Sequence, residues 1–382
     1  MTATRTLLAV DGNSLVHRSF HALLGTQLTT RDGRPTWAVK GFVSQLLGAV
    51  DRIGAHALVV GFDDHTHSAR KAAHPHYKAT RGPKAPELVQ QLQMTADLLR
   101  DAGITVVVPD GLEADDVVAS AAAQARAAGW STVVVTSDRD SFGLIDTSTS
   151  VLRVINGGID ASPVLTPERL TTMIGIEPGQ YRQYAAMRGD ASDNLTGVRG
   201  IGEKTATKLL NAFGSVEAAL ADIDTNGGAR VASEVGKAVV AKLSSAEARE
   251  AFWQNVEIMT MSTDVALGLG WDEPGAGSLP LDQGRVTSAL AALELTSLIG
   301  YAGRVLCDAA EPAEPAEPAA SSAREPWAAV ADAVDVPDGP EPGSREDEER
   351  APHDSALAAA AVAAAPAPQP APADPWTADT LF

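Results

Sequence analysis

Over roughly the first 166 residues, short apolar segments rich in β-branched residues alternate with longer segments in which apolar residues recur at helical spacing. Such alternation predicts an α/β fold with a mostly parallel central sheet flanked by helices. The predicted strands are residues 5–10, 57–62, 104–108, 132–136 and 151–155. The predicted helices are residues 14–24, 38–53, 87–101 and the Ala-rich run that ends before Gly129.

After Pro167 the pattern becomes wholly helical. Further helices are expected at residues 167–174, 178–188, 235–243, 246–261 and 286–299. From Ala309 onward the chain is dominated by Ala, Pro and acids, a composition that cannot bury enough surface to offset its ordering entropy. We therefore predict an α/β part at 1–166, a helical part at 167–306 and a disordered acidic tail at 307–382.

Charge and cysteine content narrow the class of protein. The net charge of −19 is concentrated in the tail, because residues 309–382 hold 15 acids and 3 bases and residues 1–308 hold the other 34 acids and 27 bases. Binding depends on local charge, so this balance does not exclude a nucleic-acid partner. The single cysteine, Cys307, forbids an intrachain disulfide, and no apolar run reaches membrane-spanning length. A cytoplasmic monomer is expected.

Carboxylates follow the predicted strands. Acids favour helix N-termini and turns, which explains one or two of them but not the whole set. The carboxyl ends of parallel strands meet at one sheet edge, where clustered carboxylates repel each other unless cations neutralise them. All-oxygen ligands select Mg²⁺ or Mn²⁺, and so many acids exceed the needs of one ion. The predicted ligands of two or more ions are Asp11, Asp63, Glu113, Asp115, Asp116, Asp138, Asp140, Asp190 and Asp193.

Two other segments suit a polyanion. Residues 65–86 are polar and basic, and they fit either a solvated loop or a segment that grips phosphates beside the acids. Their His-x-His pairs, at 65/67 and 74/76, do not complete a tetrahedral zinc set. The glycines of residues 197–202 precede a helix, an arrangement that brings backbone and helix N–H groups to a phosphate, although Gly-rich turns are common between helices.

Five ordered motifs carry a family resemblance: DGNSLVHRSFHAL, YKATRG, GLEADD, TSDRD and GDASDNLTGVRGIGEKTATKLL. Together they resemble the 5′-nuclease domain of bacterial DNA polymerase I and its free-standing flap endonuclease relatives, over about residues 5–300. The resemblance implies a helical arch at about 64–86 and a helix–three-turn–helix element at about 189–215. It also implies cleavage of 5′ flaps and 5′ ends of DNA, and removal of RNA primers, with two divalent metals.

The resemblance also implies roles for individual residues. The first metal site would use Asp11, Asp63, Glu113 and Asp115, with Asp116 adjacent, and the second Asp138, Asp140, Asp190 and Asp193. Lys78 and Arg81 would stabilise charge on the scissile phosphate, and Arg70 would be a further arch base. Arg18 and Phe20 would line the active-site entrance. The hairpin would grip duplex DNA through Gly197, Gly200, Gly202 and Lys204, and in the family it can hold K⁺ through backbone carbonyls.

The sequence departs from the family pattern in two places. Ala69 stands where the arch usually has an aromatic residue before its arginine, and only 82 residues follow residue 300, so no polymerase part is expected. The chain ends in Leu381-Phe382, which is similar to peptides that dock on the bacterial sliding clamp, although an arbitrary terminus explains it equally well. The alternatives to a nuclease are a flap-binding protein of weak or no activity, a phosphatase-like hydrolase and a small ribonuclease.

Overall fold

A six-stranded sheet lies at the centre of the computed structural model, which describes residues 5–271, 275 and 277–308. The strands are β1 (Thr6–Asp11), β2 (Ala57–Gly61), β3 (Thr105–Val107), β4 (Ser131–Thr136), β5 (Thr149–Arg153) and β6 (Val164–Leu165). Their spatial order is β3-β2-β1-β4-β5-β6. The first five are parallel, which confirms the predicted sheet, and the short β6 pairs antiparallel with β5.

Five helices belong to the same part of the chain: α1 (Gly12–Leu23), α2 (Trp37–Ile53), α3 (Ala69–Ala73), α4 (Pro86–Ala102) and α5 (Ala114–Ala127). α2 and α4 both end at a glycine in the left-handed region, Gly54 and Gly103, where a side chain would be strained. The predicted arch contains a single short helix, α3, and is otherwise turns and extended chain.

Alternation along the strands creates two apolar cores, one on each face of the sheet. In β1, Leu8 and Val10 join the core formed with α1, α2 and α4, whereas Leu7 and Ala9 join the core formed with α5 and the later helices. All four side chains are fully buried. A parallel sheet covered on both faces requires this arrangement, and it leaves the carboxyl edge free for polar groups.

The remaining elements are mostly helical: α6 (Pro167–Ile174), α7 (Tyr181–Arg188), β7 (Gly189–Asp190), β8 (Leu195–Thr196), α8 (Glu203–Phe213), α9 (Val216–Asn226), α10 (Ala229–Glu234), α11 (Lys237–Leu243), α12 (Ala246–Ile258), α13 (Gln283–Ala292) and α14 (Thr296–Ala302). The pattern did not predict β7, β8, α9 or α10. The helix expected at 286–299 is two helices, because Glu294 adopts a left-handed conformation between them.

The last described helices do not form a separate body. Val286 and Leu290 of α13, with Leu295, are buried in the same core as α2 and α4. Gly303–Cys307 forms a final helical turn, so the chain is ordered slightly beyond the predicted start of the tail. The rest of the tail and its terminal Leu381-Phe382 lie outside the described residues, and the domain boundaries and clamp docking stay predictions. Within the described part of the chain, no helix is both long and apolar enough to cross a bilayer.

Candidate metal centre and nucleic-acid interface

The carboxyl ends of the parallel strands carry the predicted acids. Asp11 is the last residue of β1, and Asp63 and Asp138 each follow two residues after a strand, β2 and β4 respectively. β1 lies between β2 and β4, where the direction of the chain connections reverses. In open α/β sheets this switch point is where ligands bind.

Local hydrogen bonds fix the first two acids. The Asp11 carboxylate caps α1 by accepting a hydrogen bond from Ser14 N–H at 2.9 Å, and its other oxygen accepts one from the Thr136 hydroxyl at 2.9 Å. The Asp63 carboxylate accepts hydrogen bonds from Ala114 N–H at 3.0 Å and from the Asn13 amide. These bonds tie the ends of β1, β2 and β4 to the start of α5, which carries Glu113 and Asp115.

A small hairpin supplies the acids that lie outside the sheet. β7 and β8 pair antiparallel, with Asp190 in β7 and Asp193 in the turn that joins them. Gly197 packs this hairpin against the end of α7, because a Cβ there would lie 2.3 Å from the Arg188 carbonyl carbon and oxygen. The charges of Asp190 and Asp193 act on Asp140, so the hairpin faces the sheet edge.

Burial and mutual repulsion dominate the electrostatics of this edge. Burial, assisted by the charges of Asp138, Asp190 and Asp193, raises the pKa of Asp140 to about 8. Burial raises the pKa of Asp11 to about 7, with Asp63 and Asp138 contributing. Burial and the charges of Asp11, Asp138 and Asp140 raise the pKa of Asp115 well above its ordinary value.

The nearest bases only partly compensate two of these acids: the charges of Lys78 and Arg188 lower the pKa of Asp115 and of Asp140 respectively, but burial and the neighbouring acids outweigh them. Among the described residues, no hydrogen bond is donated to the side chain of Asp115 or Asp140. Carboxylates withdrawn from solvent without hydrogen-bond donors are costly to ionise. An all-oxygen donor set in this state fits a hard divalent cation, which would supply the missing positive charge.

Basic and phenolic side chains from residues 70–78 converge on the neighbouring Glu113. Its Oε2 accepts hydrogen bonds from Tyr77 Oη at 2.9 Å, Lys78 Nζ at 3.1 Å and Arg70 at 3.1 Å. Burial opposes ionisation of Glu113, but Lys78 and Arg70 hold its pKa below the ordinary value. Tyr77 was not predicted as a site residue, and only its position beside Lys78 in the YKATRG motif could have indicated it.

The hairpin holds the same basic segment from the other side. Arg81 forms an ion pair with Asp193, and the Lys78 N–H donates to the Asp193 carbonyl at 2.8 Å. Lys78 has a φ of +54°, in the left-handed region, which costs a non-glycine residue about 1 kcal/mol. Lys78 and Arg81 are thereby fixed between Glu113 and Asp193, the acids that flank the unpaired pair Asp115 and Asp140.

These groups line a small, partly open cavity. Its polar wall is formed by Arg70, Tyr77, Glu113, Asp115, Asp140 and Asp193, and its apolar wall by Leu195, Ile258, Met259 and Met261. The cavity is therefore the place where the sheet edge, the basic segment, the hairpin and the end of α12 meet.

The carboxylate of Asp116, a predicted metal ligand, is occupied by protein donors. Its side chain is fully buried, and both oxygens are engaged, by Arg70 at 2.6 and 2.9 Å, by Ser262 N–H at 2.7 Å and by Glu113 N–H at 2.9 Å. No oxygen faces the other acids without a donor. Arg70, predicted to contact DNA, is occupied by the same contacts, and its side chain is 14% exposed.

Asp116→Ala is therefore expected to destabilise the fold. It would leave two N–H groups without their acceptor and Arg70 with Glu113 as its remaining carboxylate partner. Breaking a buried ion pair costs about 3–5 kcal/mol. Urea unfolding in EDTA measures the loss. If the variant is as stable as the wild type but no longer binds Mn²⁺, Asp116 is a metal ligand after all.

The two residues predicted to line the active-site entrance differ in their surroundings. Phe20 is 5% exposed and packs against Trp37 with ring centroids 5.4 Å apart, so it belongs to the core and does not line an entrance. Its spacing from Leu15 and Val16 on α1 is that of one buried helix face. Arg18 is half-buried and donates to Asn156 Oδ1 at 2.8 Å, beyond the end of β5.

The predicted DNA hairpin is a tight turn before α8. Ile201 N–H donates to the Val198 carbonyl at 2.9 Å, and Gly200 between them has a φ of +77°. Such a turn requires glycine at its third position. Gly202 immediately precedes α8, and Lys204 is exposed in its first turn. The turn and the first N–H groups of α8 form an exposed basic surface suited to phosphate.

A separate group of potential ligands lies at Asp64, His67 and Asp110. It is the one set of three such residues in the described chain whose ligand atoms lie within 4.8 Å of one another. The Asp64 carboxylate already accepts from Thr66 and from Gly111 N–H, which lower its pKa. His67 and Asp110 are exposed and Asp64 is half-buried. The group ties the loop after β2 to the loop before α5, and the sequence patterns did not predict it.

Two sequence models of one family together match residues 6–278. The 5′-3′ exonuclease N-terminal resolvase-like domain matches residues 6–175, and the 5′-3′ exonuclease C-terminal SAM fold matches residues 176–278. These matches cover the sheet, the basic segment and the hairpin.

Two curated relatives that match this chain are bacterial DNA polymerases I. DNA polymerase I of Mycobacterium bovis is 36% identical over 265 residues, covering 69% of this chain and 28% of that protein. Thermostable DNA polymerase I of Thermus aquaticus is 41% identical over 218 residues, covering 57% of this chain and 25% of that protein. The match thus spans only about a quarter of these relatives.

Solved structures share the fold. A bacteriophage T5 5′-exonuclease with bound zinc aligns with a TM-score of 0.54 at 18% identity, covering 79% of this chain and 98% of that one. A T5 flap endonuclease variant, solved as a pseudo-enzyme-product complex with DNA and metal ions, aligns with a TM-score of 0.52 at 19% identity and the same coverage. At this identity the likeness concerns the fold alone.

Proposed function

The chain belongs to the 5′-3′ exonuclease family, and from this premise we propose that it is a structure-specific 5′ nuclease. It would hydrolyse DNA phosphodiesters at 5′ ends and 5′ flaps, leaving a 5′ phosphate. The observation that carries the proposal is the half-buried acid pair Asp115 and Asp140, which receives no hydrogen bond from the described residues and is surrounded by further acids at the switch point of the sheet.

Eight acids form the proposed ligand set: Asp11, Asp63, Glu113, Asp115, Asp138, Asp140, Asp190 and Asp193. Asp116 is left out because Arg70 and backbone N–H groups occupy its oxygens. Two divalent ions, Mg²⁺ or Mn²⁺, would supply water activation and stabilisation of the leaving 3′ oxygen. Asp115 lies within the influence of acids from β1 and from the loop after β4, which suits a residue between two ions.

Lys78 and Arg81 are the proposed phosphate-contacting bases. In the structure each is paired with an acid, Lys78 with Glu113 at 3.1 Å and Arg81 with Asp193. Both side chains would be available to the scissile phosphate if bound divalent ions neutralised these acids, and they would stabilise its developing charge. Their positions between the sheet edge and the hairpin support this role.

Duplex DNA would be bound by the turn at Gly197–Gly202 and by Lys204, which follow directly after the hairpin that carries Asp190 and Asp193. This contact positions the DNA without reading its sequence, because it involves backbone N–H groups and lysine charge. K⁺ at the hairpin is not part of this proposal, since the Gly200 carbonyl already bonds to Lys242 Nζ at 2.6 Å.

Primer removal, maturation of lagging-strand fragments and repair are the processes that this activity would serve, in the cytoplasm. The second candidate is a flap-binding protein of weak or no activity, which the basic segment and hairpin alone would permit. The clustered acids favour the nuclease, because a binding protein gains nothing from bringing carboxylates that repel one another together.

The decisive assay uses a 5′-labelled flap duplex with Mg²⁺ or with EDTA, alongside single-stranded RNA and a phosphate monoester. We expect Mg²⁺-dependent release of the flap and little action on the other substrates. Binding of the flap duplex without cleavage at any Mg²⁺ or Mn²⁺ concentration would favour the second candidate. Hydrolysis of the monoester in preference to the flap would contradict both.

A further inference from the structure

The turn that precedes α8 already carries a cation from the protein. Lys242, in the last turn of α11, donates from Nζ to the Gly200 carbonyl at 2.6 Å. A Cβ on Gly200 would lie 2.5 Å from the same nitrogen, so the glycine makes room for the ammonium. The contact joins residues 42 positions apart, and no motif of the sequence includes Lys242.

Two other carbonyls of this turn have backbone partners. Val198 O accepts from Ile201 N–H at 2.9 Å, and Gly202 O accepts from Thr205 and Ala206 N–H at 3.1 and 3.0 Å. The Gly200 carbonyl, by contrast, is bonded to a charged side chain. A K⁺ ion at that oxygen would compete with the ammonium for the same lone pairs and would be repelled by its charge.

The helix that carries Lys242 is firmly anchored. Leu243 and Val239 are buried, at 1% and 6% exposure, in the core shared with α8. Arg249 donates to the Leu243 carbonyl at 2.8 Å and forms a bidentate pair with Asp224. The ammonium is therefore held at the turn by the fold itself, and its presence does not depend on the ion concentration in solution.

We propose that Lys242 supplies the hairpin with its cation, so that the turn binds DNA phosphate without a monovalent ion from solvent. An ammonium and K⁺ both satisfy carbonyl oxygens, but the ammonium has two further N–H donors, which point to a phosphate contact as well. Lys242 is then a positioning residue for the turn and an additional DNA-binding residue. The inference rests on the proposed DNA-binding function.

The test measures binding of a 5′-flap duplex by fluorescence anisotropy in EDTA, where no cleavage occurs. Ionic strength is held constant with either K⁺ or tetramethylammonium, which is too large for a carbonyl site. The wild type is expected to bind with the same Kd in both salts, within about twofold. Lys242→Met is expected to bind about tenfold more weakly in tetramethylammonium, to recover in part in K⁺, and to show a salt slope smaller by about one.

Lys237→Met is the matched control, because it removes one exposed lysine from the same helix, and it should show no dependence on the monovalent ion. Lys242→Gln keeps a donor for the Gly200 carbonyl but removes the charge, and it too should bind DNA more tightly in K⁺ than in tetramethylammonium. It replaces Lys242→Met in the test if circular dichroism shows that Lys242→Met is unfolded. Wild-type binding that is several-fold tighter in K⁺ overturns the inference alone. Absence of flap binding by the wild type in both salts overturns the proposed function and the inference together.

Discussion

Asp140→Asn is expected to lower single-turnover cleavage of flap DNA by about 10³-fold or more while stabilising the metal-free protein. Asp140 is half-buried beside three acids and receives no hydrogen bond from the described residues. Loss of one proposed ligand removes several kcal/mol of metal-ion catalysis, and each tenfold in rate corresponds to about 1.4 kcal/mol.

The stability gain has a defined dependence on pH. The pKa of Asp140 is about 8 in the folded protein, against 3.8 ordinarily, so the folded state keeps a proton that the unfolded state releases. Stability of the wild type in EDTA is therefore lost as pH rises from about 4 through 8. Asparagine cannot ionise, so the advantage of Asp140→Asn grows over this interval and reaches the order of 2 kcal/mol above pH 8.

Urea unfolding in EDTA at pH 5.5, 7 and 8.5 measures the gain, and single-turnover kinetics measures the loss of cleavage. Glu250→Gln, which removes an exposed acid from α12, is the matched control and should change neither. Added Mg²⁺ should reverse the order of stabilities, because it binds the wild type more tightly. Cleavage by Asp140→Asn within tenfold of wild type would contradict its role as a ligand.

Lys78→Ala is expected to slow the cleavage step by about 10²–10³-fold with little change in the Kd for flap DNA. Removal of one preorganised donor at a developing charge has an effect of this size. The loss should fall mainly on the cleavage rate, because the hairpin supplies a separate grip on the duplex. Lys78→Arg should restore part of the rate, since it returns the positive charge.

Lys71→Ala is the matched control for Lys78→Ala. Lys71 is an exposed lysine of the same basic segment, on α3, and its removal should change the rate by less than about threefold. Equal effects of the two substitutions would mean that the segment contributes only general charge. A large loss of DNA affinity in Lys78→Ala with an unchanged rate would assign Lys78 to binding instead.

The sheet and the acids at its edge could be predicted because both follow from local patterns. Continuous apolar runs mark β1 and β4 as strands buried on both faces. Asp11 is the last residue of β1, and Asp138 comes two residues after β4. The burial of Phe20 could also be predicted, because Phe20 shares one face of α1 with Leu15 and Val16. Its place in the motif DGNSLVHRSFHAL predicts a different role, at the active-site entrance.

Other parts of the site depend on contacts between distant residues. β7 and β8 have two residues each, too short for any periodicity, yet their pairing places Asp190 and Asp193. The engagement of Glu113 by Tyr77 and Lys78 joins residues 35 and 36 positions apart through a loop of irregular conformation. Asp116 was predictable only in part. Its spacing from Glu113 indicates the capping box at the start of α5, but nothing local in the sequence indicates its ion pair with Arg70.

The most direct test of the account counts the ions bound by the acids. Mn²⁺ is titrated at pH 8 and followed by electron paramagnetic resonance, with His67→Ala as the common background so that the group at Asp64 and Asp110 does not add an ion. Two Mn²⁺ per chain with mutual spin coupling are expected, and one when Asp140→Asn is added. A single ion in the background protein, or a count that Asp140→Asn leaves unchanged, would contradict a two-metal centre at this edge of the sheet.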